Sequence, residues 1–166
     1  MQARYVLLKG HDDRGFVWYS NYNSRKGGEL ESTHNAALTF WWGEMERSIR
    51  IEGVVEKVSE EEATAYYHSR PRSSQIGAWS SNQSQEIGSR SELEAQEIEI
   101  IKRFDNVEVI PKPPHWGGYR VIPSRMEFWK GRASRLHDRI SFTKIDTEPK
   151  KDLISESTWD MKRLQP

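Results

Sequence analysis

No cysteine occurs in the 166 residues. That excludes a disulfide-stapled scaffold, a Cys-ligated zinc, an iron–sulfur cluster and a thiol nucleophile. No apolar run comes near the roughly 18 residues that a membrane-spanning helix needs. In Met1 to Gly10 only residues 5–8 are apolar, too few for a secretory signal, so the cytosol is the default expectation. Neither charge is in excess, since 25 Lys and Arg balance 25 Asp and Glu. A balanced chain lacks the overall basic field of a nucleic-acid binder. There is no G-x-S-x-G, no phosphate-binding P-loop and no dinucleotide glycine fingerprint. The histidines His11, His34, His68, His115 and His137 are scattered without metal-ligand spacing, so no metal is expected.

Aromatic residues, by contrast, are plentiful: 7 Trp, 6 Tyr and 5 Phe. They suit a β-rich core or a site that grips flat rings. Each of Trp41, Trp42, Trp79, Trp116, Trp129 and Trp159 is expected in the core by default. The length predicts one domain over 1–166. Residues 3–9 and 16–20 read as two strands of a hairpin around His11-Asp12-Asp13-Arg14-Gly15. Residues 21–28 read as a polar loop, and 29–35 as a short helix or loop. Strands follow at 36–42 and 47–58, with Gly53 a bulge candidate.

Two helices carry start signals. Ser59-Glu60-Glu61-Glu62 is a capping box whose helix should end near Ser69, because Pro71 disfavours helical backbone at Arg70. Ser91-Glu92-Leu93-Glu94 looks like a second, opening a helix to about Phe104. Residues 72–90 between them read as a polar connection, and 105–115 as a proline-rich extended one. Strands are expected at 118–122, 126–130, 139–144 and 158–164, with 145–157 polar and loose. About seven strands and two helices without β-α-β alternation predict a mainly β, antiparallel α+β fold.

The basic residues fall in four clusters: Arg4 and Lys9; Arg25 and Lys26; Arg70 and Arg72; Arg135 and Arg139. Each sits among hydroxyl, amide or backbone donors, the combination a phosphate ester needs. A surface cation is by default simply solvated. His137, between Arg135 and Arg139, is the best candidate for a functional imidazole. Taken alone, the residues point to a β-rich domain suited to a flat, phosphorylated ligand, and no further.

Longer motifs go further. In order, they are Arg4-Tyr5-Val6-Leu7-Leu8-Lys9-Gly10, Asn23-Ser24-Arg25-Lys26-Gly27, His68-Ser69-Arg70-Pro71-Arg72-Ser73-Ser74-Gln75-Ile76-Gly77-Ala78-Trp79, Pro114-His115-Trp116-Gly117-Gly118-Tyr119, Glu127-Phe128-Trp129-Lys130-Gly131 and Arg135-Leu136-His137-Asp138-Arg139. In these the chain resembles the pyridoxamine 5′-phosphate oxidase family from Arg4 to its C-terminus. The resemblance implies an FMN-binding split β-barrel. It also implies a homodimer with two FMN sites at the subunit interface, and a dimerisation part from about 113 to 166. The implied reaction oxidises pyridoxamine 5′-phosphate or pyridoxine 5′-phosphate to pyridoxal 5′-phosphate. A hydride passes from substrate C4′ to flavin N5, and O2 then reoxidises the flavin to give hydrogen peroxide. No nucleic acid or membrane partner is implied.

Residue by residue, the resemblance assigns FMN to Arg4, Tyr5, Val6, Leu7, Leu8, Lys9, Tyr19, Ser20, Arg25, Lys26, Gln83, Ser84, Trp129 and Arg139. Substrate falls to Lys9, Tyr66, Arg70 and Ser74, with Arg135, Leu136 and His137 over its ring. Arg135 and His137 are the catalytic candidates. Three departures stand out. The family carries a segment ahead of the Arg4 motif (an arm, a helix and a first strand) that this sequence does not show, and lacking it would leave a sheet edge unpaired. Ser48 stands where a flavin-reaching Gln is usual, and Ser20 where Thr is common. Two other functions fit the same fold: a non-catalytic FMN or pyridoxal-phosphate binder, and another split-barrel flavoprotein such as a flavin reductase. The Arg70–Ser74 and Arg135–His137 motifs stand against the flavin reductase.

Overall fold

The computed structural model describes residues 2–145 and 158–166. Its order is β1 (Gly10–Asp12), β2 (Gly15–Asn21), α1 (Arg25–Thr33), β3 (Asn35–Trp42), β4 (Arg47–Lys57), α2 (Glu60–Ser69), α3 (Arg72–Ser80), α4 (Arg90–Arg103), β5 (Trp116–Lys130), β6 (Asp138–Ile145) and β7 (Thr158–Leu164). The strands form one sheet in the order β1-β2-β5-β4-β3, with β6 on β5 and β7 on β6. The chain packs as two compact units, residues 1–34 with 56–120 and residues 35–55 with 121–166. Strands β4 and β5 run through both.

In the first unit, β1 and β2 form a tight antiparallel hairpin pairing His11 with Phe16. Asp12 closes the turn by accepting from the backbone N–H of Arg14 and Gly15 at 3.0 and 3.1 Å. The strand expected over residues 3–9 does not form. Only the Lys9 N–H is tied, to the Val17 carbonyl at 2.9 Å. An apolar run without a ladder partner gains no sheet hydrogen bonds, and Tyr5 and Leu7 lie exposed.

Helix α1 starts four residues before the expected position. Ser24 caps it, accepting from the Gly27 N–H at 3.2 Å. Helix α2 has the expected bounds, with Ser59 accepting from the Glu62 N–H at 3.1 Å. In α4 the cap is Ser89, not Ser91, and the Glu92 side chain reaches back to the Gly88 N–H at 3.1 Å. Such a cap contributes about 1 kcal/mol.

Helix α3 is an addition to the expected elements. It has no side-chain cap and is held instead by burying Ile76. Ile76 joins Tyr67, Phe104, Ile110 and Trp116 in the main cluster of this unit. The proline-rich connector is pinned by side chains rather than by a ladder. Trp79 Nε1 donates to the Pro111 carbonyl at 2.8 Å and Arg72 Nη1 to the Val107 carbonyl at 2.9 Å. Arg72 therefore has a structural role apart from its neighbour Arg70.

In the second unit, β3 and β4 pair from Asn35 with Val54 to Trp42 with Arg47. The two strands expected at 118–122 and 126–130 are one continuous β5. Pro123 interrupts the pattern without ending the strand. Gly53 makes room: a Cβ there would lie 2.0 Å from the Ile122 carbonyl oxygen and 3.0 Å from the Pro123 Cα. Trp41 and Trp42, expected in the core, are 59% and 42% exposed. Strand β7 forms as expected against β6, while residues 146–157, which fall in the stretch expected to be loose, lie outside the described residues.

Candidate functional site

Three elements of the first unit converge on Lys26. Strand β2 supplies Ser20, the cap of α1 supplies Ser24, and the turn after α3 supplies Gln83. The Lys26 ammonium donates to Ser20 Oγ, and to Ser24 Oγ at 3.3 Å. Ser20 in turn donates to Gln83 Oε1 at 3.1 Å. Ser84, beside Gln83, holds a left-handed backbone with φ 70°. Lys26 is partly buried and no carboxylate pairs with it among the described residues. Burial, with Arg4 nearby, lowers its pKa from 10.5 to about 8. A site that raises the cost of a charge and withholds a counter-ion is poised for an anion. Arg25 differs: it is exposed and paired with Glu29 at 3.3 Å, one turn on.

A second convergence surrounds Arg70. Tyr19 and Tyr66 stack with ring centroids 3.8 Å apart, and both lie nearly parallel to Trp116, at 13° and 6°. The Arg70 guanidinium lies over Trp116. Its Nη1 is buried without a hydrogen-bond partner, and burial lowers the Arg70 pKa. Ser74 sits in the first turn of α3, its N–H donating to the Pro71 carbonyl at 2.9 Å. Lys9 lies at the mouth of a cavity of about 200 Å³, with Tyr19, Glu62 and Arg120 among its walls. Burial, and next Glu62, push the Tyr19 hydroxyl up to about 12. Arg120 is itself paired with carboxylates, reaching Glu62 at 2.9 Å and Asp12 at 3.3 Å, while its Nε is buried without a hydrogen-bond partner.

The second unit collects the remaining expected residues. Trp129 on β5 lies opposite Arg139 on β6. Its ring meets His137 at 4.7 Å and Trp41 at 5.9 Å. The Arg132 N–H donates to His137 Nδ1 at 3.1 Å. A neutral His137 therefore carries its proton on Nε2. Arg135 and Leu136 lie exposed in the turn before β6. Ser134 and Arg135 both have positive φ, 58° and 60°. Arg139 is gripped by Glu127 at 2.8 and 3.0 Å. Ser48 lines a cavity of about 210 Å³ with Trp41, Trp129 and Arg50.

The structure thus brings Ser20, Lys26 and Gln83 together, and separately Tyr19, Tyr66 and Arg70. Tyr5, Val6, Leu7 and Leu8 stay exposed. The sequence reading missed Ser24, Trp116 and Glu127 as members of these sites. Ser24 was findable, as a serine three residues before a glycine at a helix start. The partnership of Glu127 with Arg139 needed the register of β5 and β6.

The antiparallel sheet with its added helices is of the split-barrel class, as its structural neighbours show. A pyridoxamine 5′-phosphate oxidase-related, FMN-binding protein from Nostoc punctiforme superposes with a TM-score of 0.70 over 98% of this chain and 80% of that one. At 11% identity this likeness speaks to fold alone. PhzG from Burkholderia lata, in complex with tetrahydrophenazine-1-carboxylic acid, is 30% identical with a TM-score of 0.84, over 99% of this chain and 75% of that one.

The chain belongs to the pyridoxamine 5′-phosphate oxidase family. The family of that description matches residues 2–102, and its "Pyridoxine 5′-phosphate oxidase C-terminal dimerisation region" matches 116–166. The pyridoxine/pyridoxamine 5′-phosphate oxidases of Trichormus variabilis and Burkholderia mallei are 54% and 56% identical, over 99% of this chain and 72% of theirs. Among the described residues no helix is long and apolar enough to cross a membrane.

Proposed function

We propose that the chain is an FMN-dependent oxidase of pyridoxamine 5′-phosphate and pyridoxine 5′-phosphate that yields pyridoxal 5′-phosphate. The observation that carries the reading is the pair of partly buried cations, Lys26 and Arg70, that lack a carboxylate partner among the described residues. Two such positions suit two phosphorylated ligands, one cofactor and one substrate. The names of the relatives supply the chemical identities.

The residues fit FMN. Lys26, Ser20 and Gln83 offer an ammonium, a hydroxyl and an amide in one place, with Arg4 nearby in charge and Arg25 at the exposed edge. Tyr5, Val6, Leu7, Leu8, Tyr19, Ser84, Trp129 and Arg139 complete the assigned set. When bound, FMN supplies the two-electron acceptor that O2 regenerates.

The protein's own work is binding and orientation. Arg70, Lys9, Tyr66 and Ser74 hold the substrate phosphate, which fixes the ring without touching the reacting carbon. Arg135, Leu136 and His137 cover that ring, and Arg135 brings positive charge to the reacting centre. His137 presents Nε2–H, because Nδ1 is already engaged by the Arg132 N–H. We further infer a homodimer, supported by the family description of residues 116–166.

The test is direct. Purified protein given FMN and pyridoxine 5′-phosphate should form pyridoxal 5′-phosphate and hydrogen peroxide in equal amounts. Bound yellow flavin without product would make the chain a binder only. If Arg135→Ala left turnover unchanged, the substrate assignment would be wrong. A second reading follows from the likeness to PhzG: a reduced phenazine carboxylic acid as substrate. Turnover of that compound, with none of the B6 phosphates, would select it.

A further inference from the structure

A guanidinium withdrawn from water ordinarily takes a carboxylate. Among the described residues Arg70 has none: burial disfavours its charge, and the polar groups that act on it are the hydroxyls of Tyr66 and Tyr67. Its guanidinium carbon lies 4.5 Å from the Trp116 ring centroid and 5.9 Å from that of Tyr67. Those rings meet edge to face at 5.4 Å and are 7% and 0% exposed. Both are fixed from behind. The Tyr67 hydroxyl donates to the Gln75 carbonyl at 3.0 Å, and the Gln75 amide returns a bond to the Arg70 carbonyl at 2.9 Å. The Trp116 backbone N–H donates to the Pro113 carbonyl at 3.1 Å, and its backbone carbonyl accepts from Lys112 Nζ at 2.9 Å. The Tyr22 hydroxyl packs against the same strand at Gly117, where a Cβ would lie 2.0 Å from it.

We infer that Trp116 is a positioning residue for phosphate recognition: its indole face takes the place of a carboxylate under Arg70, orienting the guanidinium without neutralising it. The physical distinction is competition. A carboxylate partner would have to be displaced, or left unpaired, when a phosphate arrives. The ring attracts the cation through its quadrupole and does not compete for its N–H donors. The Nη1 donors therefore stay unspent in the free protein. The inference rests on the reading of Arg70 as the substrate-phosphate partner.

The experiment uses FMN-loaded protein, pyridoxine 5′-phosphate as substrate and inorganic phosphate as competitor. Trp116→Leu should raise KM about ten-fold and weaken phosphate inhibition by the same factor, with a smaller change in kcat. Trp116→Phe, which keeps a smaller ring face, should raise KM about three-fold. Added to Arg70→Ala, Trp116→Phe should have no further effect, because the cation it orients is gone. A rise of the same size with and without Arg70 would make Trp116 a packing residue only and overturn the inference. So would an unchanged KM in both Trp116 variants while Arg70→Ala raises it. If the Leu variant does not fold, the Phe variant carries the test through its coupling to Arg70. Should Arg70→Ala move neither KM nor phosphate inhibition, the parent reading fails instead.

Discussion

Lys26 and Arg70 of the first unit and Arg132, Arg139 and Arg163 of the second are treated in opposite ways. In the first, Lys26 and Arg70 are drawn partly out of water and given hydroxyls, an amide and ring faces as neighbours. In the second, Arg139 is clamped by Glu127, while Arg132 and Arg163 share Asp138, each at 2.7 Å. The residue types are the same and the consequences differ. A paired arginine has committed part of its charge to the fold, whereas an unpaired one keeps all of it for a ligand. Burial without a counter-ion, more than the presence of arginine and lysine, marks a place where an anion belongs.

The strongest way to break this contrast is at Lys26. Lys26→Ala should weaken FMN binding by about 1.5–3 kcal/mol, roughly 10- to 150-fold in Kd, read by flavin fluorescence titration. The same residue predicts a pH effect. Its pKa in the folded chain, about 8 against an ordinary 10.5, means that the free protein loses this proton as pH rises through 8. FMN affinity should therefore decline above about pH 8 in the parent protein and show a flatter profile in Lys26→Ala. An equally steep decline in both would detach the lysine from the cofactor.

The next test concerns the paired region. Arg139, with Arg125 and Arg50 further off, holds the Glu127 carboxyl below its ordinary range. The native state thus binds fewer protons there than the unfolded chain. The resulting stabilisation is complete above the ordinary carboxylate pKa and is lost as pH falls through the lowered one. Glu127→Gln should lower Tm at neutral pH and flatten its fall in acid, as followed by thermal melts across pH. The smallest effect is expected at Arg25. Exposed and already paired with Glu29, it should change FMN affinity less than about three-fold when replaced by Ala.

Much of the fold was legible from local chemistry. Ser59 and Pro71 bound α2 as expected, because a cap and a proline act on their immediate neighbours. Helix α3 was not, because Pro71 precedes it without a side-chain cap and its stability comes from burying Ile76 against distant residues. The two strands expected at 118–122 and 126–130 join because Pro123 is accommodated by Gly53, 70 positions earlier in the chain. At the site, the family motifs named Lys26 and Arg70. They could not say that Arg25, the neighbour of Lys26, spends its charge on Glu29. Nor could they say that Arg72 serves the Phe104 and Val107 carbonyls. Such partnerships are tertiary, and composition is blind to them.

The turn before β6 carries a consequence of its own. Ser134 and Arg135 are consecutive L-residues with left-handed backbone, each costing on the order of 1 kcal/mol relative to a relaxed conformation. A glycine at 134 would relieve part of that cost and loosen the loop with the same stroke. The arginine would then sample many directions where it now has few. The molecule keeps a tense hinge under an exposed cation, and a chain engineered for greater heat resistance at this point would risk blunting the very side chain the hinge aims.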